Sequence, residues 1–151
     1  MDLSPDWVVG FVDGEGCFYV GLYKHPEMTV GYQVLPEFRI VQHYKNINVL
    51  YSLKKFFGYG VVRKNHDDRY ELRIRDINQL IVVVDFFQKH PLKTTKNVDF
   101  RKFAKVVRWM QKGKHLTIEG LEEIVKTSME MNRQNKMSAV QILEELKRET
   151  G

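Results

Sequence analysis

Residues 8–16, Val8-Val9-Gly10-Phe11-Val12-Asp13-Gly14-Glu15-Gly16, put two glycines four apart in a helical pattern and a carboxylate just before a strand. Ser4-Pro5 precedes the run, a hydroxyl cap followed by proline at the first helical position, so the helix is expected from Pro5 to about Asp13. Glycine costs roughly 1 kcal/mol against alanine inside a helix, so two within three turns need a reason. Gly10 and Gly14 share a face, and without side chains there another backbone can approach closely. The inference is a tight helix–helix seam built on Val9, Gly10, Asp13 and Gly14; the plainer alternative is that Gly14 and Gly16 only end the helix. Asp13 is expected to hydrogen-bond nearby backbone, which leaves Glu15 as the acid available for chemistry.

The remaining bulk properties set bounds. With 43% hydrophobic and 12% aromatic residues in 151, the chain can build a core of its own. Lys and Arg number 24 against 19 acids, a net charge of +5 that suits either a polyanion partner or an ordinary charged surface. The single cysteine, Cys17, excludes an internal disulfide, and the five histidines have no zinc spacing. No apolar run approaches a membrane span, and Asp2 and Asp6 flank the first helix where a signal peptide would be apolar. The expectation is an intracellular, non-secreted protein with no membrane partner.

Along the chain, periodicity predicts the order α-β-β-α-β-β-α followed by further helices. Cys17 to Tyr23 and Tyr32 to His43 alternate as half-buried strands, with Pro36 suggesting an edge or a bulge in the second. Asn46 is expected to cap a helix ended by Gly58, and a hairpin turns at residues 65–68. Asp76 or Asn78 starts a third helix, Val98 to Met110 marks a fourth, and Thr117 caps a fifth. Ser138 with Gln141 reads as a capping box for a short last one. The organisation expected is a core over residues 1–112 and a helical extension over 113–151 packed on it.

Two copies of Glu15 across a two-fold axis would bring like charges close, which is unfavourable unless a cation neutralises them. An oxygen-liganded divalent ion answers this, and such ions activate water and stabilise the leaving oxygen of a phosphodiester.

The extended run Gly10-Phe11-Val12-Asp13-Gly14-Glu15-Gly16-Cys17-Phe18 resembles the signature of the LAGLIDADG homing endonucleases. Pro36 to Gln42, Gly58-Tyr59-Gly60 with the basic hairpin after it, and Pro91 to Lys96 resemble further family segments in the right order, over roughly residues 5 to 110. The resemblance implies an α+β fold, with a curved four-stranded antiparallel sheet covered by helices on one face. It also implies metal-dependent double-strand cleavage of a long, near-palindromic DNA site. With one copy of the motif, a symmetric homodimer would be the enzyme. By the same likeness Glu15 is the metal ligand with Gly14 offering a carbonyl, Gln42 and Lys96 assist near the scissile phosphates, and the ion is Mg²⁺ (or Mn²⁺). Lys96 rather than Lys93 follows from its spacing after Pro91. Val9 departs from the family pattern, which has a smaller residue there.

On the uncovered face of such a sheet lie Tyr19, Tyr23, Gln33, Glu37, Arg39, Val61, Arg63, Arg69, Glu71, Arg73 and Arg75. The resemblance makes these the readers of base edges in the major groove; an ordinary solvated sheet face would alternate in the same way. It further suggests a product of an intron, in the style of those in ribosomal RNA genes of bacteria, archaea or organelles. An intron RNA maturase or a non-cleaving DNA-binding regulator would keep the fold and lose the cutting, and intron RNA would then be the partner. A protein–protein module is the remaining class.

Overall fold

The computed structural model describes residues 1–131 and 136–150. Its elements follow the expected order: α1 Pro5–Glu15, β1 Gly16–Lys24, β2 Tyr32–His43, α2 Ile47–Phe57, β3 Val61–His66, β4 Arg69–Ile74, α3 Ile77–Lys89, α4 Lys96–Gln111, α5 Ile118–Met129 and α6 Lys136–Thr150. The strands form one sheet in the order β1-β2-β4-β3. Two compact units emerge, Met1–Phe18 with Glu37–Asn97, and Tyr19–Pro36 with the chain from Val98. The division runs through β1 and β2, each of which contributes residues to both units.

In the first unit, the antiparallel register pairs Phe38 with Ile74 and Ile40 with Leu72, so these four side chains share one face. All are buried. Phe38 meets Phe57 of α2 edge-on at 5.7 Å and lies 6.1 Å from Phe87 of α3, which shows that both helices cover this face. Phe18 of β1 adds to the same aromatic cluster. The opposite parity carries Arg39, Arg73, Glu71, Val61 and Arg63, as alternation requires.

The local signals explain most of the boundaries. Ser4 Oγ accepts from the Trp7 amide with Pro5 opening α1, and Asp76 accepts from the amides of Asn78 and Gln79 to open α3. Gly58 ends α2 at φ +82, a left-handed conformation that glycine adopts without a Cβ clash. Gly16 is needed for a different reason. Its φ is −80, and a Cβ there would lie 2.7 Å from Val12 Cγ1. It therefore provides space where strand leaves helix, and α1 continues through Gly14 to Glu15, beyond the expected end at Asp13.

Three local expectations change. Pro36 lies in a strand flanked on both sides, not at an edge, but two residues beyond Phe38, where the ladder with β4 stops. A missing N–H is harmless on that side. Asn46 precedes α2 without capping it by its side chain; the chain enters through a short 3₁₀ turn in which His43 Nδ1 accepts from the Lys45 amide. The last helix is already under way at Lys136, two residues ahead of the expected Ser138 cap.

In the second unit, Val20, Tyr32 and Val34 of the sheet and Val30 of the turn before β2 are buried. So are Phe103 and Val107 of α4, Leu121 and Ile124 of α5, and Ile142 and Leu146 of α6. Thr117 caps α5 by accepting from Gly120 N, as expected. Among the described residues no helix is long and apolar enough to cross a membrane.

Candidate nuclease site at the end of the glycine helix

Helix α1 divides its residues by the 100° turn between them. Val8, Val9 and Val12 point inward and are buried, while Trp7, Gly10, Gly14 and Glu15 are exposed. Val9 is 6% exposed, so most of its side chain packs in the chain's own core. Trp7 and Phe11 occupy the outer face instead, stacked at 4.8 Å, a signal present in the sequence as an i, i+4 aromatic pair. A Cβ added at Gly10 or Gly14 would meet nothing within 4 Å, so both glycines open onto unfilled space.

The acids at the end of α1 have different surroundings. Asp13 is clamped, with Oδ2 accepting from Lys93 N at 2.7 Å and Oδ1 from Thr94 N at 3.2 Å and Thr94 Oγ1 at 2.9 Å. Thr94 Oγ1 also accepts from Lys96 N at 3.3 Å. The Lys96 side chain returns to the helix, its Nζ donating to Val12 O at 3.1 Å. Glu15, two residues after Asp13, stays exposed beside the exposed Gly14. The structure thus brings Gly14, Glu15 and Lys96 to one helix end, and Thr94, absent from the sequence reading, organises it. Lys93 contributes through its backbone.

Gln42 lies opposite Tyr70 near the end of β2, on the parity of Phe38 and Ile40. It is half-buried, and Asn46 Nδ2 donates to its Oε1 across 3.5 Å.

The arginine face is a charge lattice. Glu37 and Glu71 are 6% and 3% exposed. Arg75 Nε donates to Glu37 Oε1 at 2.8 Å and Arg63 Nε pairs with Glu71 Oε1 at 3.1 Å. Arg39 reaches both carboxylates at 3.8 Å, and Arg73 lies 3.9 Å from Glu37. Burial lowers the Arg73 pKa first, with the charges of Arg75 and Arg63 adding and the two glutamates opposing. Both carboxylates are thus buried and turned to arginine partners. Arg69 and Val61 are exposed on the same unit. Tyr19 and Gln33 are half-buried and Tyr23 exposed in the other unit, where the Tyr23 ring lies against Gly21.

Residues 8–107 match the profile of the LAGLIDADG endonuclease. The chain belongs to the LAGLIDADG endonuclease family. It is 64% identical to the homing endonuclease I-TnaI, whose crystal structure superposes with a TM-score of 0.94 over 97% of this chain and 99% of that one. It is 33% identical to I-SmaMI, a LAGLIDADG homing endonuclease solved bound to cleaved DNA, with a TM-score of 0.92 over 96% of this chain and 49% of that one. A probable intron-encoded endonuclease of Neurospora crassa is 33% identical over 133 residues, 86% of this chain. The chain spans 29% of that relative's length.

Proposed function

We propose that the chain is a site-specific homing endonuclease that cuts both strands of a long, near-palindromic duplex as a symmetric pair. The observation that carries this reading is the pairing of an exposed Glu15 with a tethered Lys96 at one end of a helix whose outer face is open. Arg39, Arg63, Arg69, Arg73 and Arg75 supply a basic sheet face in the same unit, suited to groove contacts.

Among the described residues no group of three or more His, Cys, Asp or Glu could hold a metal. One chain therefore offers one carboxylate, Glu15, and the Gly14 carbonyl. That donor set fits Mg²⁺ or Mn²⁺, hard cations that keep several waters and complete their shell with phosphate oxygens. When bound, such an ion supplies an activated water and charge stabilisation at the leaving oxygen. Lys96 has its ammonium held by Val12 O, which keeps a positive charge at the helix end to stabilise phosphate oxygens. Gln42 assists as a hydrogen-bonding group at the strand end. Asp13 and Thr94 hold the loop that carries Lys96.

A second copy supplies the second acid. Gly10 and Gly14, with Trp7 and Phe11 beside them, form the face on which two α1 helices would meet. The half-length match to DNA-bound I-SmaMI supports an enzyme made of two such units. The net charge, the absence of a described membrane-crossing helix and the intron-encoded relatives support an intracellular protein acting on DNA.

The test is cleavage of a randomised duplex library in Mg²⁺, beside Glu15→Gln and Ca²⁺ controls. Products sharing one near-palindromic sequence, and at least about a thousandfold slower cutting by Glu15→Gln with binding retained, are expected. Retention of DNA without cutting by the unmodified chain would leave a binding protein; retention of intron RNA alone would make it a maturase.

A further inference from the structure

Glu37 and Glu71 are buried charges that the cleavage chemistry does not use. Each sits mid-strand on the arginine face, and burying an ionised carboxylate is costly unless it is paired. Strand register supplies the partners. Arg63 lies opposite Glu71, whereas Arg39 lies opposite Arg73, a like-charge pair within 4 Å of the two glutamates. The contacts from Arg63 and Arg73 and the Arg75 hydrogen bond all use Nε, while Arg39 reaches Glu71 by Nε and Glu37 by Nη1. That edge is turned to the carboxylates, which leaves the Nη groups of Arg63, Arg73 and Arg75 for the two parallel bonds by which arginine recognises guanine. Asn65 Nδ2 donates to Glu71 Oε2 at 3.3 Å and completes the acceptor's environment.

Two carboxylates also offset two of the five arginine charges on the face. Without them the face would hold any phosphate backbone, because that attraction carries no sequence information. We propose that Glu37 and Glu71 are positioning residues for sequence readout, which hold Arg63, Arg73 and Arg75 by their Nε edges, tie Arg39 between them and trim the charge of the face. This rests on the DNA-cutting function proposed above. The acids make sequence discrimination sharper at the expense of general affinity, and they do so without touching a base.

The experiment selects bound duplexes from a randomised library in Ca²⁺, using the full chain, Glu71→Gln and the double variant Glu71→Gln/Arg63→Gln. A salt titration on a scrambled duplex and a thermal melt accompany each. Glu71→Gln is expected to bind scrambled DNA about tenfold more tightly, to steepen the log–log salt slope by about 0.9, and to select a flatter motif. The double variant removes one charge of each sign, so its slope should return to that of the unmodified chain while one position of the motif loses its preference. It also keeps the inference testable if the single variant does not fold. An unmodified chain that selects a motif, with Glu71→Gln selecting it as sharply at an unchanged slope, overturns this inference alone. A lower melting temperature at unchanged slope and motif likewise overturns it, since that is the mark of a purely structural acid. An unmodified chain that selects no sequence overturns the DNA-reading function and this inference with it.

Discussion

Asp13 and Glu15 are two residues apart and chemically alike, yet their neighbours give them separate work. Asp13 spends its lone pairs on Lys93 N, Thr94 N and Thr94 Oγ1, which staples the Lys96 loop to the end of α1. Hydrogen bonds to a charged acceptor are about twice as strong as neutral ones, so Asp13→Asn should cost about 1–3 kcal/mol of stability. It should also lower kcat while leaving DNA affinity within about twofold, because the Lys96 ammonium loses its frame and the sheet face does not change. Denaturant unfolding and single-turnover cleavage check the two parts. Equal losses in affinity and rate would show that the clamp supports the whole DNA-binding surface instead. The structural role of Asp13 could be read from its place at a helix end; Thr94 could not, because its partner is about 80 residues away in sequence.

At the scale of the element, α1 is a helix in which glycine costs stability and the chain's own fold does not recover it. Neither Gly10 nor Gly14 is crowded by its own chain. Gly10→Ala should therefore strengthen the isolated helix by up to about 1 kcal/mol. If a second α1 packs there, the same methyl group separates two backbones and weakens the pair by about tenfold or more. Sedimentation over a range of concentrations, with unfolding measured at high dilution, separates the effects. A variant that is more stable and pairs undiminished would move the contact off this face. The outward Trp7 and Phe11 favour the face as a seam, since large stacked rings at a surface are apolar area still to be covered.

For the whole molecule, one group sets a pH dependence. His115 lies in the short turn Lys114–Leu116, with its Nδ1 buried and lacking a hydrogen-bond partner among the described residues. Burial lowers its pKa from the ordinary 6.5. The unfolded chain then binds this proton more readily than the folded one, so stability rises with pH across that interval. The contribution is complete above about 6.5 and is lost as pH falls toward the lower folded value. The Tm of the protein should fall as the pH drops below about 6.5, and His115→Asn should flatten that part of the profile. A profile unchanged by the substitution would place the dependence on other groups.

Composition, helix periodicity and strand alternation are local, so the sequence determined the element order, the hairpin, the helix starts at Ser4, Asp76 and Thr117, and the run ending in Glu15 that marks the family. What it left open depended on partners distant along the chain. Parity alone places Glu37 and Arg39 on one face, but only the pairing of β2 with β4 and β4 with β3 sets Glu71 within reach of Arg39 and Arg63 and gives the buried glutamates their arginine partners. Val9 fits the motif's seam by position, yet packing rotates it into the core and leaves Trp7 and Phe11 outside. Pro36 signals an edge by its chemistry, and the tertiary fold admits it to an inner strand because β4 ends before reaching it. Each of these outcomes was decided by packing and register, which depend on which distant segments the folded chain brings together.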